Sequence, residues 1–273
     1  MTSKTVVTTF HKKGYDVYAK NMINSFLNNW PSDIKLMVYP EDHDIEERAD
    51  NLEIYPLHET SPELVAFKNR WKDDPKARGE VPTGPKNKKG KQPGIGFRWD
   101  AIRFSHKVYS VFHAAKNCNT DILFWMDADM LCHSPITHEF IDKMMPDGIG
   151  LGYLGREKKF SECGLYAMNL RDSRTLEFLE EFQRNYDSGD LFKMQEWNDC
   201  WVFDESRSTI QQRHRKWNQY NWSQGLITGE GHPLINSAWG AYLDHLKGNR
   251  KELGKSQKKD LIVKRSENYW STI

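Results

Sequence analysis

The chain has 273 residues, of which 28% are charged and 38% hydrophobic, and its formal net charge is +1. This length and apolar content suit one large α/β domain or two small ones and exclude wholesale disorder. The near-neutral balance argues against a chain-wide nucleic-acid or anionic-membrane binder and leaves only a local basic patch open.

The opening "MTSKTVVTTF" lacks the basic-then-apolar layout of a signal peptide. Within it, "KTVVTTF" (4–10) is rich in β-branched residues and reads as a first strand. "DVYAKNMINSFLNNW" (16–30) follows with apolar residues at helical spacing, and Pro31 stops it. "IKLMVYP" (34–40) reads as a second strand and "LEIYPL" (52–57) as a short third. The alternation predicts βαβ units and a mostly parallel sheet flanked by helices, an α/β fold.

The pattern then breaks. Residues 72–96 are dense in Pro, Gly and Lys and read as a flexible basic loop, either a bare surface loop or a lid over an anionic ligand. "FRWDAIRFSHKVYSVFHAAK" (97–116) reads as a long helix whose core stripe is Ala101, Phe104, Val108, Phe112 and Ala115. Asp100, Arg103 and Lys107 share another face at spacings of three and four. "CNTDILFWMDAD" (118–129), "GIGLGYLG" (148–155) and "CGLYAMNL" (163–170) read as strands. "DSRTLEFLEEFQRNY" (172–186) opens on an Asp N-cap and continues as an amphipathic helix. "EWNDCWVFDESRS" (196–208) is apolar and acidic together, and residues 232–256 read as helix-like.

Cys118, Cys132, Cys163 and Cys200 are widely spaced with no CxxC, so a zinc knuckle is excluded and buried, reduced thiols are expected. No run of about 18 apolar residues is present, so no membrane span is expected and the compartment read from the sequence is the cytoplasm. Ten Trp residues fit either a heavy core or stacking on sugar rings.

The chemistry concentrates in "DILFWMDADMLCHSP" (121–135), where an apolar strand runs straight into Asp127 and Asp129. A buried carboxylate is costly unless it is paired or holds a cation. In open α/β sheets ligands gather at the carboxyl ends of strands. On an extended backbone, residues i and i+2 point the same way, so both acids can converge on one hard cation, Mn²⁺ or Mg²⁺. The other reading is a turn cap with a salt bridge.

"ILFWMDADM" resembles the D-x-D strand of nucleotide-sugar-dependent glycosyltransferases with the GT-A fold. "VVTTFHKKGYDVYAKNMINSF" resembles their opening strand-loop-helix, whose strand end meets the nucleoside. "YLDHLKGNRK" (242–251) resembles the C-terminal His-x-x-Gly-x-x-Lys element of retaining, glycogenin-like members, with Glu252 and Leu253 where that element closes on Pro-Trp. The resemblance implies a single GT-A-like domain over 1–273 with a nucleotide-binding sheet. It implies a third metal ligand at His245, and a diphosphate held by Lys247, Gly248 and Lys251. The partners it implies are a nucleotide-diphosphate sugar donor and a glycan or small hydroxyl acceptor.

Thr8, Thr9 and Phe10 are then expected to border the base and ribose, and Arg103 and Lys107 to face the nucleotide from the 97–116 helix. Sugar transfer leaves a diphosphate whose developing charge a divalent ion and basic side chains stabilise. An inverting reaction also needs a carboxylate base beside the acceptor hydroxyl. Asp199 is the first choice, because its aromatic and apolar neighbours are expected to raise its pKa, and Glu162 is the second. Asp204 and Glu205 also qualify. His232 rivals His245 as a ligand, and Trp197, Trp201 and Trp239 stack on an acceptor or pack the core.

Two other classes stay open. One is a binding module of the same fold without catalysis. The other is a different carboxylate-metal enzyme acting on nucleotide phosphates. "FHKKGYD" lacks the Gly-rich loop of a nucleotide-sugar pyrophosphorylase, and Leu131 stands where an Asp-nucleophile phosphatase has Thr or Val.

Overall fold

In the computed structural model, residues 2–81, 97–157, 159–226 and 232–271 are described. The β-branched run at the N-terminus is strand β1 (Lys4–Phe10), followed by β2 (Lys35–Pro40), β3 (Leu52–Ile54), β4 (Ile122–Met126), β5 (Met130–Cys132), β6 (Leu151–Arg156), β7 (Lys159–Asn169), β8 (Gln219–Asn221) and β9 (Leu243–His245). Seven of them form one sheet in the order β3-β2-β1-β4-β7-β6-β8. The β1–β2, β2–β3, β1–β4 and β6–β8 pairs are parallel, while β7 runs antiparallel to both β4 and β6. The α/β fold with a mostly parallel sheet expected from the sequence is therefore present.

Helices cover both faces. They are α1 (Lys20–Asn29), α2 (Pro62–Trp71), α3 (Ala101–Asn117), α4 (His138–Met144), α5 (Ser173–Asp187) and α6 (Asp199–Arg213), among shorter turns. Strand alternation sorts the core into two layers. Val6, Phe124 and Met126 pack with Met22, Phe26 and Trp239 on one face. Val7, Leu123 and Trp125 pack with Val108, Phe178 and Phe203 on the other. Trp197 and Trp239 are thus core residues, and Trp201 lies edge-on to Phe160.

Several boundaries move. The 16–30 helix opens with a π-turn over Tyr15–Ala19 before α1. Helix α3 starts at Ala101 and not at 97, because the Asp100 side chain caps it by accepting from the Arg103 backbone N–H at 3.1 Å. Its buried face also takes in Lys107, and Phe104 is only partly covered. The 196–208 stretch is the start of α6, capped by Asn198. The largest departure is 232–256. It is a short helix (Pro233–Asn236), a 3-10 turn (Ala238–Ala241), strand β9 and another short helix (Arg250–Leu253). Of the basic stretch 72–96, residues 72–81 form turns, with Lys76 Nζ 3.9 Å from the Trp99 ring centre and 4.0 Å from that of Trp197, and 82–96 lie outside the described residues. Among the described residues no helix is long and apolar enough to cross a membrane, and the cysteines are free thiols.

Candidate metal centre

Asp127 and Asp129 do converge, but not as neighbours on an extended strand. They sit in the turn that joins β4 to β5, closed by a hydrogen bond from Met130 N to Asp127 O at 3.1 Å. Strand β5 pairs antiparallel with β9, which sets Met130 opposite His245. That pairing brings the imidazole to the two acids. His245 Nε2 lies 3.5 Å from Asp127 Oδ2 and 3.1 Å from Asp129 Oδ1. Leu246 N donates to Asp129 O at 2.8 Å and ties the strap after β9 to the same turn.

The other edge of the His245 ring meets Glu162 on β7, Nδ1 to Oε1 at 2.9 Å. Lys247 Nζ reaches the same oxygen at 2.8 Å. Gly164 permits this approach, since a Cβ there would lie 2.4 Å from His245 Cε1 and 2.6 Å from Glu162 Oε1. Lys251 closes the ring of charges, its Nζ 2.9 Å from Asp129 Oδ2 and 4.5 Å from the centre of the Tyr18 ring. Gly248 makes the turn between the two lysines at φ +59°.

Burial alone would drive these groups to neutrality, and the pairings reverse that. Burial opposes the His245 charge, but Asp129 and Glu162 hold its pKa well above the imidazole range. Burial likewise opposes ionisation of Asp129 and Glu162, yet His245 with Lys251, and Lys247 with His245, hold those carboxyls well below the usual range. The protein's own cations, His245, Lys247 and Lys251, stand against these acids.

A second cation lies deeper. Lys107 of α3 bridges Asp127 Oδ1 at 3.1 Å and Asp199 Oδ2 at 2.8 Å, and donates to the Cys163 carbonyl. Its ammonium has three protons and three protein acceptors. It therefore clamps the acids from the wall of the cavity that the sequence reading had it face. Asp127 also accepts from Trp125 Nε1 at 2.8 Å. Asp199 stands in the first turn of α6, where the helix dipole favours a carboxylate.

These groups line a cavity of about 450 Å³ with Thr9, Phe10, Arg103, Lys107, Gly248 and Asp199. Of the expected first-strand contacts, Thr8 is not among the lining residues; it is fully buried, and Thr9 donates its hydroxyl to the Tyr39 carbonyl at 2.6 Å. Asp204 turns away from the cavity and accepts from Ser161 N and Oγ at 2.6 and 2.8 Å. The sequence reading missed His11, Tyr18, Glu41, His106, Arg156 and Phe160 in the wall. "HKK" follows the end of β1 directly, which was a usable signal for His11.

No protein-family model matches the sequence, and no curated protein matches it. Among solved structures, the chain is similar to mouse xyloside xylosyltransferase 1 in its apo form, at 12% identity and a TM-score of 0.45, over 80% of this chain and 84% of that one.

Proposed function

We propose that this chain is a metal-dependent glycosyltransferase that moves a sugar from a nucleotide-diphosphate sugar to a hydroxyl acceptor, a glycan or a small molecule. The observation that carries the reading is the convergence of Asp127, Asp129 and His245 beside Lys247 and Lys251 in one cavity. Two carboxylates and an imidazole suit a divalent ion of the Mn²⁺ type, with Mg²⁺ as the harder alternative. Glu162 Oε1 stands 2.9 Å from His245 Nδ1 and so favours a proton on that nitrogen, which leaves Nε2 as the ligand atom, the usual carboxylate–histidine arrangement. On this reading Glu162 is a positioning residue more than a base.

When bound, the ion supplies charge stabilisation to the departing diphosphate. The chain's own part would be to present Lys251 and Lys247, which stand beside Asp129 and Glu162 in the same cavity, to the departing diphosphate. Both ammonium groups are then available to the diphosphate oxygens. Arg103 on the cavity rim adds charge. Thr9 and Phe10 border the nucleoside. Asp199 faces the cavity from a fixed position and is the carboxylate offered to the acceptor side.

The test is thermal stability of the protein against a panel of nucleotide sugars, each with Mn²⁺ and with EDTA. A nucleotide diphosphate sugar should stabilise the protein only with Mn²⁺. Asp127→Asn and Asp129→Asn should each abolish that shift in protein whose circular dichroism shows it still folded. A full nucleotide response in either variant would sink the reading.

A further inference from the structure

The proposed reaction leaves His232 unused. It precedes the helix Pro233–Asn236 and is 8% exposed, and among the described residues neither ring nitrogen has a hydrogen-bond partner. Its ring meets that of His245 edge-on, with centres 5.2 Å apart. Its Nδ1 lies 3.9 Å from Glu162 Oε2, an oxygen that is itself buried without a hydrogen bond. Buried polar atoms left idle are costly, so His232 Nδ1 and Glu162 Oε2 facing one another call for a ligand.

One ligand atom from each of Glu162, His232 and His245 lies within 4.8 Å of the others. A single ion with bonds of roughly 2.0–2.2 Å spans such a set. Two imidazole nitrogens and one carboxylate oxygen with an open position are a zinc donor set, and nitrogen-rich sites favour Zn²⁺ over Mn²⁺. Lys247 engages Oε1 of Glu162 and leaves Oε2 facing His232; its side chain is 37% exposed and has room to swing outward.

The geometry points to a second, inner metal site formed by Glu162, His232 and His245, selective for Zn²⁺ and set on the opposite edge of the His245 ring from the Asp127–Asp129 pair. The site itself does not need the glycosyltransferase reading, but its consequence rests on it. A neutral imidazole offers one lone pair. An ion on Nδ1 leaves the proton on Nε2, facing Asp127 and Asp129, and withdraws His245 from the outer site. Zinc bound inside therefore opposes Mn²⁺ bound outside, and His245 serves one ion at a time.

The experiment titrates Zn²⁺ into EDTA-stripped full-length protein by calorimetry, with Co²⁺ absorption as a check on coordination. His232→Ala should lower zinc affinity on the order of 10–100-fold or more. His232→Phe, which keeps the ring volume, should do the same and guards against a folding defect in the alanine variant. The Asp127→Asn/Asp129→Asn double variant should keep zinc affinity within a few-fold of the parent. His232→Ala should also retain Mn²⁺-supported nucleotide binding while losing its inhibition by zinc. Unchanged zinc affinity in both His232 variants, or loss of zinc binding in the double aspartate variant, would overturn the inner site. If no nucleotide responds to Mn²⁺, the glycosyltransferase reading fails, while the zinc titration still decides the inner site.

Discussion

Lys107→Met leaves the aliphatic stem in place and removes one buried charge. Lys107 and Asp199 have side chains only 11% and 3% exposed, and their ion pair is 2.8 Å long. Solvent screening is slight at that depth, so the relevant scale is that of a broken buried pair, about 3–5 kcal/mol. Burial opposes the ammonium, but Asp127 and Asp199 hold its pKa well above the lysine range, so the charge is present throughout ordinary pH. Asp127 is 29% exposed and recovers some hydration when the lysine leaves. Asp199 has no such recourse, and the Cys163 carbonyl loses its donor as well. The melting temperature should fall by roughly 6–20 °C. Pairing the change with Asp199→Asn removes the stranded charge, and the double variant should be more stable than the sum of the two single losses by about 0.5–3 kcal/mol. Thermal and urea denaturation followed by circular dichroism measure both quantities. A loss under about 1 kcal/mol for Lys107→Met, or strict additivity in the double variant, would refute the clamp.

Lys251→Met should separate metal from nucleotide. Lys251 competes with any cation for Asp129, so its removal should strengthen Mn²⁺ binding to the nucleotide-free protein while weakening nucleotide-diphosphate binding about tenfold or more. Calorimetry with Mn²⁺ alone checks the sign, and weaker Mn²⁺ binding would contradict the competition. Stability should also fall in mild acid. Burial lowers the pKa of His133 from 6.5 to about 4, and burial lowers those of His106 and His232 to about 3. Below pH 6.5 these three sites take up protons in the unfolded chain that they refuse in the folded one, so their contribution to stability declines as pH drops toward 4 and is intact above 6.5. His133 stacks on Tyr269 with ring centres 4.0 Å apart. His133→Phe keeps that stack and should flatten part of the acid limb in melting curves taken from pH 7 to 4; an identical slope would discard the assignment.

The sequence determined what short-range pattern can encode. β-branched residues fix β1 over Lys4–Phe10, and an apolar run ending in Asp127 and Asp129 marks a strand end with a charge problem. Asp172 at a helix N-cap announces α5. His245, Gly248 and Lys251 stand out by spacing, though not by the element that carries them. Tertiary structure decided the rest, because the partners are far apart in the chain. Residues 232–256 look helical until β9 finds β5 over a hundred positions earlier, and only that pairing delivers His245 to the acids. Lys107 belongs by spacing to a solvated helix face. Burial against β4 and β7 turns it into the clamp on Asp127 and Asp199. Glu162 reads from the sequence as a candidate base, and only the fold shows that Gly164 lets His245 close on it. A charge's role depends on which opposite charge it meets at about 3 Å and how dry that place is, and local sequence carries neither quantity.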